Sequence, residues 1–302
     1  MAGAPRQLIV IGGPTASGKT RVAAQVAREL GTEVISADSR QFYHAMRIGT
    51  ARPTEAELLG VKHNFLGHLD LQETWSAGTF AREAESVLQE LLARSGTAVM
   101  VGGSGLYIDA VLYGLDPLPP SDATVRARLQ EQLRIDGLPA LLEQLRGLDP
   151  DHWNVVDRNN PHRVLRALEV CLVSGKPYSA LRSTPEQRTD PRIHRIAMDM
   201  PRSALYARID SRVDHMIADG LVEEARALLP FRALNALNTV GYKEFFDHFD
   251  DRLSLTEAIA LIKQHTRNYA KRQLTWLRRD ERWIPMRPES SDTIARINAL
   301  VR

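Results

Sequence analysis

The sequence predicts a parallel α/β sheet interrupted by a small all-helical domain. Three observations carry that expectation. Short β-branched strands alternate with amphipathic helices over the first part of the chain. A Pro/Asp-rich hinge, LDPLPPSD at 115–122, opens a stretch with only helical periodicity. The strand pattern then returns at 193–198, IHRIAM.

Each element follows from local chemistry. Residues 8–11 (LIVI) read as a fully buried strand, and 19–30 as a helix closed by Gly31. Residues 33–36 (EVIS) read as a second strand, 78–94 as a helix stopped by Gly96, and 97–101 (TAVMV) as another buried strand. Within the helical stretch, 139–146 and 163–173 are the clearest pieces, and Gly175, Pro177, Pro185 and Pro191 punctuate its end. Helices are expected over 202–218, 220–229 and from Ser254 to about Arg279, the last opened by the capping pair Ser254 and Glu257. RWIPM at 282–286 suggests a late strand. The expected organisation is a core formed by 1–115 and 192–302 with a helical insertion at 116–191.

Composition excludes several classes. With 302 residues, 43% hydrophobic and 25% charged, the chain is long enough for a large core plus an appended unit. A net charge of +2 excludes a uniformly basic coat but not a local basic patch. The single cysteine, Cys171, lies in the largely apolar stretch 168–173, broken by Glu169, so a buried core thiol is expected and no disulfide or cysteine-based zinc site. The nine histidines show no metal-ligand spacing. The opening MAGAPRQLIVIGG carries no signal pattern, and no apolar run reaches the length of a membrane span, so the cytoplasm is the expected compartment, with no membrane partner.

The first strand runs into Gly13-Pro14-Thr15-Ala16-Ser17-Gly18-Lys19-Thr20, which matches G-x4-G-K-[ST] between a strand and a helix. That context makes a P-loop, and the core P-loop NTPase-like. Glycines let backbone N–H groups converge on one anion, and the helix N-terminus adds a favourable field. Lys19 supplies a mobile charge and Thr20 a hydroxyl for Mg²⁺. The loop specifies a di- or triphosphate without saying which. The strand at 97–101 ends in Gly102-Gly103-Ser104-Gly105 with no acidic residue where a motor ATPase carries one. The second strand instead ends in Ala37-Asp38-Ser39, and strand ends line the ligand crevice of such sheets, so Asp38 is expected to face the ligand. The plainer role for Asp38 is a turn cap.

The last long helix carries Lys263, Arg267 and Lys271 at four-residue spacing, hence on one face. Residues 263–287 hold 8 basic and 2 acidic side chains, interleaved with Tyr269, Trp276 and Trp283. A solvated helix face is the plain reading; the size of the excess and the aromatics point to nucleic acid. Arg208 and Arg212 alternate with Asp210 and Asp214, which reads either as an i,i+4 salt-bridge ladder or as one arginine aimed at a phosphate.

Taken together, GPTASGKT (13–20), ISADSRQFY (35–43), IGTARPT (48–54), VGGSGLY (101–107), NNPHRVLRALEV (159–170), VGYKE (240–244) and KRQLTWLRR (271–279) resemble the bacterial-type tRNA isopentenyl transferase family over essentially the whole chain. The resemblance implies transfer of a dimethylallyl group from its diphosphate to N6 of the adenosine 3′ of the anticodon, in tRNAs reading codons that begin with U. It implies Mg²⁺ as cofactor, and tRNA through its anticodon stem-loop and dimethylallyl diphosphate as partners, with no obligate protein partner. It casts 13–20 as the diphosphate loop, Asp38 as general base, and Thr20, Lys19 and Arg212 as groups acting at the diphosphate. It assigns tRNA contact to Asp38-Ser39-Arg40-Gln41, to Ser104 (where the family often has Thr) and Arg126, and to Asn159-Asn160-Pro161-His162-Arg163-Val164-Leu165-Arg166. Val240-Gly241-Tyr242-Lys243-Glu244 and Lys271-Arg272-Gln273-Leu274-Thr275-Trp276-Leu277-Arg278 complete that set. A P-loop small-molecule kinase is the alternative enzyme, and a tRNA-binding module with a vestigial loop the alternative non-enzyme. The basic aromatic helix weighs against the first, and intact Lys19, Thr20 and Asp38 against the second.

Overall fold

The computed structural model describes residues 6–183 and 191–301. Residues 1–5, part of the opening read for a signal, and Pro185, read as a helix break, lie outside the described residues. In chain order the elements are β1 (Gln7–Gly12), α1 (Lys19–Glu29), β2 (Val34–Ala37), α2 (Glu55–Leu58), β3 (His63–Asn64), α3 (Ala77–Ser95), β4 (Thr97–Gly102) and α4 (Gly105–Tyr113). Then come α5 (Ala123–Leu148), α6 (Pro150–Val155), α7 (Pro161–Ser174), β5 (Arg192–Met198), α8 (Arg202–Ala218), α9 (Leu221–Leu228), α10 (Tyr242–Phe249), α11 (Leu255–Leu277), β6 (Ile284–Met286) and α12 (Thr293–Ala299). Two compact units divide the chain: Met1–Leu112 with Arg188–Arg302, and Tyr113–Gln187.

The larger unit is built on one parallel sheet of order β3-β2-β4-β1-β5-β6. Every residue of β1 is buried, with Ile9 opposite Val99 on one side and His194 on the other. A strand covered on both faces must be apolar throughout, which is why LIVI shows no alternation. Val22, Ala23, Val26 and Ala27 of α1 pack on Ile9, Ile11, Val99 and Val101. Each large aliphatic side chain buried there stabilises the fold by roughly 1.5–3 kcal/mol. Because all the strands run parallel, their carboxyl ends, and the loops after them, gather on one edge.

Five elements lie beyond what sequence periodicity predicts. α2 and β3 are only four and two residues long. α4 (GLYIDAVLY) is too uniformly apolar to show a helical period, α10 is a single short amphipathic piece after Gly241, and α12 lies near the end. Among the described residues, no helix is long and apolar enough to cross a membrane.

The smaller unit packs α5, α6 and α7 around Leu129, Leu141, Leu145, Val164, Leu165 and Leu168. Gly137, at φ 77°, breaks α5 two residues before Pro139. Glu169, fully buried on α7, accepts the Ser121 hydroxyl, the Asp122 N–H at 3.0 Å, Arg126 at 2.9 Å and Arg166 at 3.0 Å. Burial alone would raise its carboxyl, but Ser121, Arg166 and Arg126 outweigh that and hold it below the usual range. Cys171 is a buried free thiol in the same helix.

Candidate active site

The P-loop leaves β1 and curls back at Ala16 (φ 63°) and Gly18 (φ 80°) before α1 begins at Lys19. A side chain at Gly13 would meet the Ser17 hydroxyl at 2.6 Å, so the tight return needs glycine there. The Lys19 ammonium bends over the loop to the Pro14 carbonyl at 3.3 Å. Burial lowers its pKa to about 8, with Asp38 pulling up and Arg212 pushing further down.

Asp38 sits on the turn after β2, its carboxylate accepting the Arg40 N–H at 3.3 Å. Beside it, the end of β4 comes so close that a side chain at Gly102 would lie 2.1 Å from the Ala37 carbonyl. Ser104 ties the two turns together: its N–H donates to Ala37 at 3.3 Å and its hydroxyl accepts the Ser39 N–H at 3.1 Å. Arg40 points away from Asp38 and caps the carbonyls of Asn235 (2.8 Å) and Ala236 (3.1 Å). The loop at 47–49 is gathered by one carboxylate, because Glu224 accepts the N–H groups of Arg47, Ile48 and Gly49 as well as the Tyr242 hydroxyl at 2.7 Å.

These turns wall a cleft of about 840 Å³ with α8 and α11. Arg208 and Arg212 enter from α8; Thr266, Tyr269 and Arg272 enter from α11. Burial lowers the Arg212 guanidinium from its ordinary value, Glu57 and Asp38 pull it up, and Arg208 adds to the lowering. Burial and the charge of Asp38 push the Tyr269 phenol upward. α8 and α11 run antiparallel, since Asp210 pairs with Arg267 and Asp214 with Lys263. The cleft wall therefore changes along its length. Arg208, Tyr269 and Arg272 lie at one level of the two helices, Arg212 and Thr266 one turn on, and Met216 with Leu261 and Ile262 a turn further, while Lys243, Glu244 and Asp247 of α10 line the same cleft.

The structure brings 15–20, 38–41, Arg212, Val240, Gly241, Lys243, Glu244 and Arg272 to this cleft. Others it places in packed or paired positions. Val164 and Leu165 are core residues of the helical unit, and Arg126 and Arg166 neutralise buried Glu169. Tyr242, Glu244 and Gln273 are buried and hydrogen-bonded internally, and Leu277 packs inward. Exposed members of the expected tRNA-contacting set are Asn159, His162, Arg163, Lys243, Lys271, Arg272, Thr275 and Arg278. Lys263 and Arg267 do not present a free basic face, because they pair with α8. Sequence reading missed Met216, Glu57 and His265 as cleft residues. Met216, one turn beyond Arg212, and His265, one turn before Tyr269, could have been found from spacing; Glu57 comes from a four-residue helix whose facing no local pattern reveals.

An anion loop at the carboxyl edge of a parallel sheet, with a carboxylate and two arginines over it, defines a P-loop transferase of a small anionic substrate. The IPP transferase family model matches residues 41–280. The tRNA dimethylallyltransferase of Christiangramia forsetii is 48% identical over 273 residues, covering 90% of each chain. The tRNA dimethylallyltransferase 2 of Parabacteroides distasonis is 42% identical over 287 residues, covering 95% of this chain and 96% of its own. The tRNA isopentenylpyrophosphate transferase of Bacillus halodurans superposes with a TM-score of 0.71 at 35% identity, over 98% of this chain and 95% of that one. The chain belongs to the IPP transferase family.

Proposed function

We propose that this chain is a cytoplasmic enzyme that transfers a dimethylallyl group from dimethylallyl diphosphate to N6 of the adenosine 3′ of the anticodon, in tRNAs reading codons that begin with U. The names of its relatives support that reading, and one observation carries it here: the P-loop, Asp38 and Arg212 line one cleft, so an anion site and a proton acceptor face the same space. Met216, Leu261 and Ile262 on the same walls offer apolar contact to a short hydrocarbon.

In the step, the donor C1–O bond breaks, its electron pair leaves with diphosphate, and C1 bonds to N6, which loses a proton. The loop amides at the start of α1, Lys19 and Arg212 hold the departing charge. Asp38, on the same cleft, takes the N6 proton. The adenine has to leave its stack to reach the cleft. Among the described residues no cluster of three or more His, Cys, Asp or Glu could hold a metal, so a cation would be held by Thr20 and the donor's own oxygens, a hard set that fits Mg²⁺. Bound there, Mg²⁺ would supply positive charge to the leaving diphosphate. Exposed Asn159, His162 and Arg163 of the helical unit and Lys271 and Arg278 of the core are the proposed tRNA contacts.

The test is incubation with tRNA, dimethylallyl diphosphate and Mg²⁺, followed by nucleoside mass analysis. An adenosine heavier by one prenyl unit is expected, without ATP. Phosphoryl transfer from ATP to a small alcohol, with unmodified tRNA, would overturn the reading.

A further inference from the structure

α11 turns two chemically different faces outward and inward. Lys271, Arg272, Thr275 and Arg278 are exposed, whereas Gln273, Trp276 and Leu277 press on the glycine-rich turns that follow β1 and β4. A side chain at Gly12 would lie 2.9 Å from Leu277, one at Gly105 2.5 Å from the Trp276 ring, and one at Gly103 2.1 Å from Gln273 Nε2. Trp276 is fixed in turn by its indole N–H, which donates to Asp109 at 2.9 Å.

Gln273 is the polar member of this inner face, and it is 5% exposed. Its Oε1 accepts the N–H of Thr15 at 2.8 Å and its Nε2 donates to the carbonyl of Gly103 at 2.9 Å. The carboxamide thus spans the two turns after paired neighbouring strands. Thr15 directly precedes Ala16, whose left-handed backbone starts the curl of the P-loop. Holding the Thr15 N–H fixes the plane of the peptide entering that curl. The N–H groups at the start of α1, which have no partner inside the helix, remain for an anion.

We propose that Gln273 is a positioning residue for the diphosphate loop rather than a tRNA contact, although it lies within the basic segment 271–278. This rests on the functional reading above for the identity of the donor, but not for the binding of diphosphate itself. A loop whose N–H groups converge on an anion only in one conformation loses affinity when that conformation is no longer held. Through Gln273, the helix whose outer face carries the proposed tRNA cations also sets the shape of the donor loop.

The experiment compares Gln273→Leu, which keeps size and loses both hydrogen bonds, with Gln273→Glu, which keeps an acceptor for Thr15 and loses the donor to Gly103. Inorganic diphosphate binding to the full chain is measured by calorimetry without tRNA, tRNA affinity by filter binding without donor, and the two KM values separately. The expected result for Gln273→Leu is a loss of diphosphate affinity and a matching rise in donor KM of about ten- to a hundredfold, with tRNA affinity within about twofold. Gln273→Glu should lose at least as much diphosphate affinity as Leu, because it sets a buried carboxylate against the Gly103 carbonyl and beside the anion loop. Gly103→Ala, which drives a methyl into the carboxamide from the other side, should reproduce the diphosphate defect, so the proposal stays testable if the Leu variant does not fold. Lys271→Ala, on the outer face, should weaken tRNA and spare diphosphate. Weakened tRNA binding with unchanged diphosphate affinity in Gln273→Leu, or no change in either, overturns the proposal. If the native chain binds diphosphate but prenylates no tRNA, the functional reading falls while the diphosphate comparison still decides the role of Gln273.

Discussion

The ammonium of Lys263 on α11 meets the carboxylate of Asp214 on α8 at 2.6 Å. One turn along, Arg267 meets Asp210 at 2.5 Å. Within α8 the arginines and aspartates stand two residues apart and face different sides, so no i,i+4 ladder forms between them, and the packed neighbour helix supplies the partners of the aspartates. Arg212 faces the cleft, where Glu57, then Arg208 and Asp38, are the charges that act on it.

That pairing relocates the basic surface. Affinity for tRNA should fall with salt, because each phosphate that the protein neutralises releases counterions. Replacing Lys271 and Arg278 with Ala should reduce the slope of log affinity against log salt by about 0.7–0.9 for each phosphate no longer neutralised. Replacing Lys263 and Arg267 should leave the slope nearly unchanged and instead lower thermal stability, by up to about 1 kcal/mol for each partly exposed pair. Binding titrations over a salt series with both double variants check this; a larger slope change for Lys263 and Arg267 would contradict the placement.

Lys19 should make donor binding sensitive to alkaline pH. Its ammonium, lowered to about 8, loses its proton as pH rises through that value in the free protein, so affinity for diphosphate should fall above it. The bound anion favours the charged form, so binding above about pH 8 should take up a proton that binding near pH 7 does not. Calorimetry in two buffers of different ionisation enthalpy measures that uptake. For stability the sign is opposite. The unfolded chain keeps this lysine protonated up to its ordinary value of 10.5, so this group's contribution rises with pH between about 8 and 10.5.

How far the sequence can be read follows from range. The loop at 13–20 and its flanking strand and helix are local, and periodicity with glycine placement exposes them. Asp38 is placed by a rule about strand ends that needs only the parallel sheet. What stays hidden is long-range. Glu224 holding the amides of 47–49, Arg40 capping 235–236 and Arg126 serving Glu169 link positions 43 to 195 residues apart, and no local pattern encodes the partner. The segment 271–278 reads as one basic motif, yet its helix sends Gln273 inward and Lys271 outward, because successive residues turn by about 100°.

Met216 should set how well the cleft accepts a hydrocarbon. It lies one turn past Arg212, opposite Leu261 and Ile262. Met216→Asp places a charge where the apolar end of the donor would rest. Affinity for inorganic diphosphate should be unchanged, while affinity for dimethylallyl diphosphate should drop roughly tenfold or more, the worth of a few buried methyl or methylene groups. Calorimetric titration with both ligands separates the two effects. Equal losses for both would move the hydrocarbon elsewhere.

Asp38 is the group whose replacement separates chemistry from binding. Its carboxylate lines the cleft beside the P-loop, and its charge acts on Lys19, Arg212 and Tyr269. The exocyclic amine of adenine is a weak nucleophile and must lose a proton as the C–N bond forms. Lys19 and Arg212 are cations committed to the departing diphosphate and poorly suited to accept that proton. His265 also reaches the cleft, but it is engaged with buried Glu244 at 2.6 Å. Asp38→Asn keeps the side-chain volume and an oxygen to accept the Arg40 N–H, so the turn should survive. The single-turnover rate of tRNA prenylation should fall by roughly 10²–10⁴-fold, the usual contribution of a general base. Donor affinity should change little in comparison, because the loop and the arginines carry it. A near-normal rate in Asp38→Asn would leave this carboxylate as the former of the β2 turn and send the search for the base to the Glu244 and His265 pair.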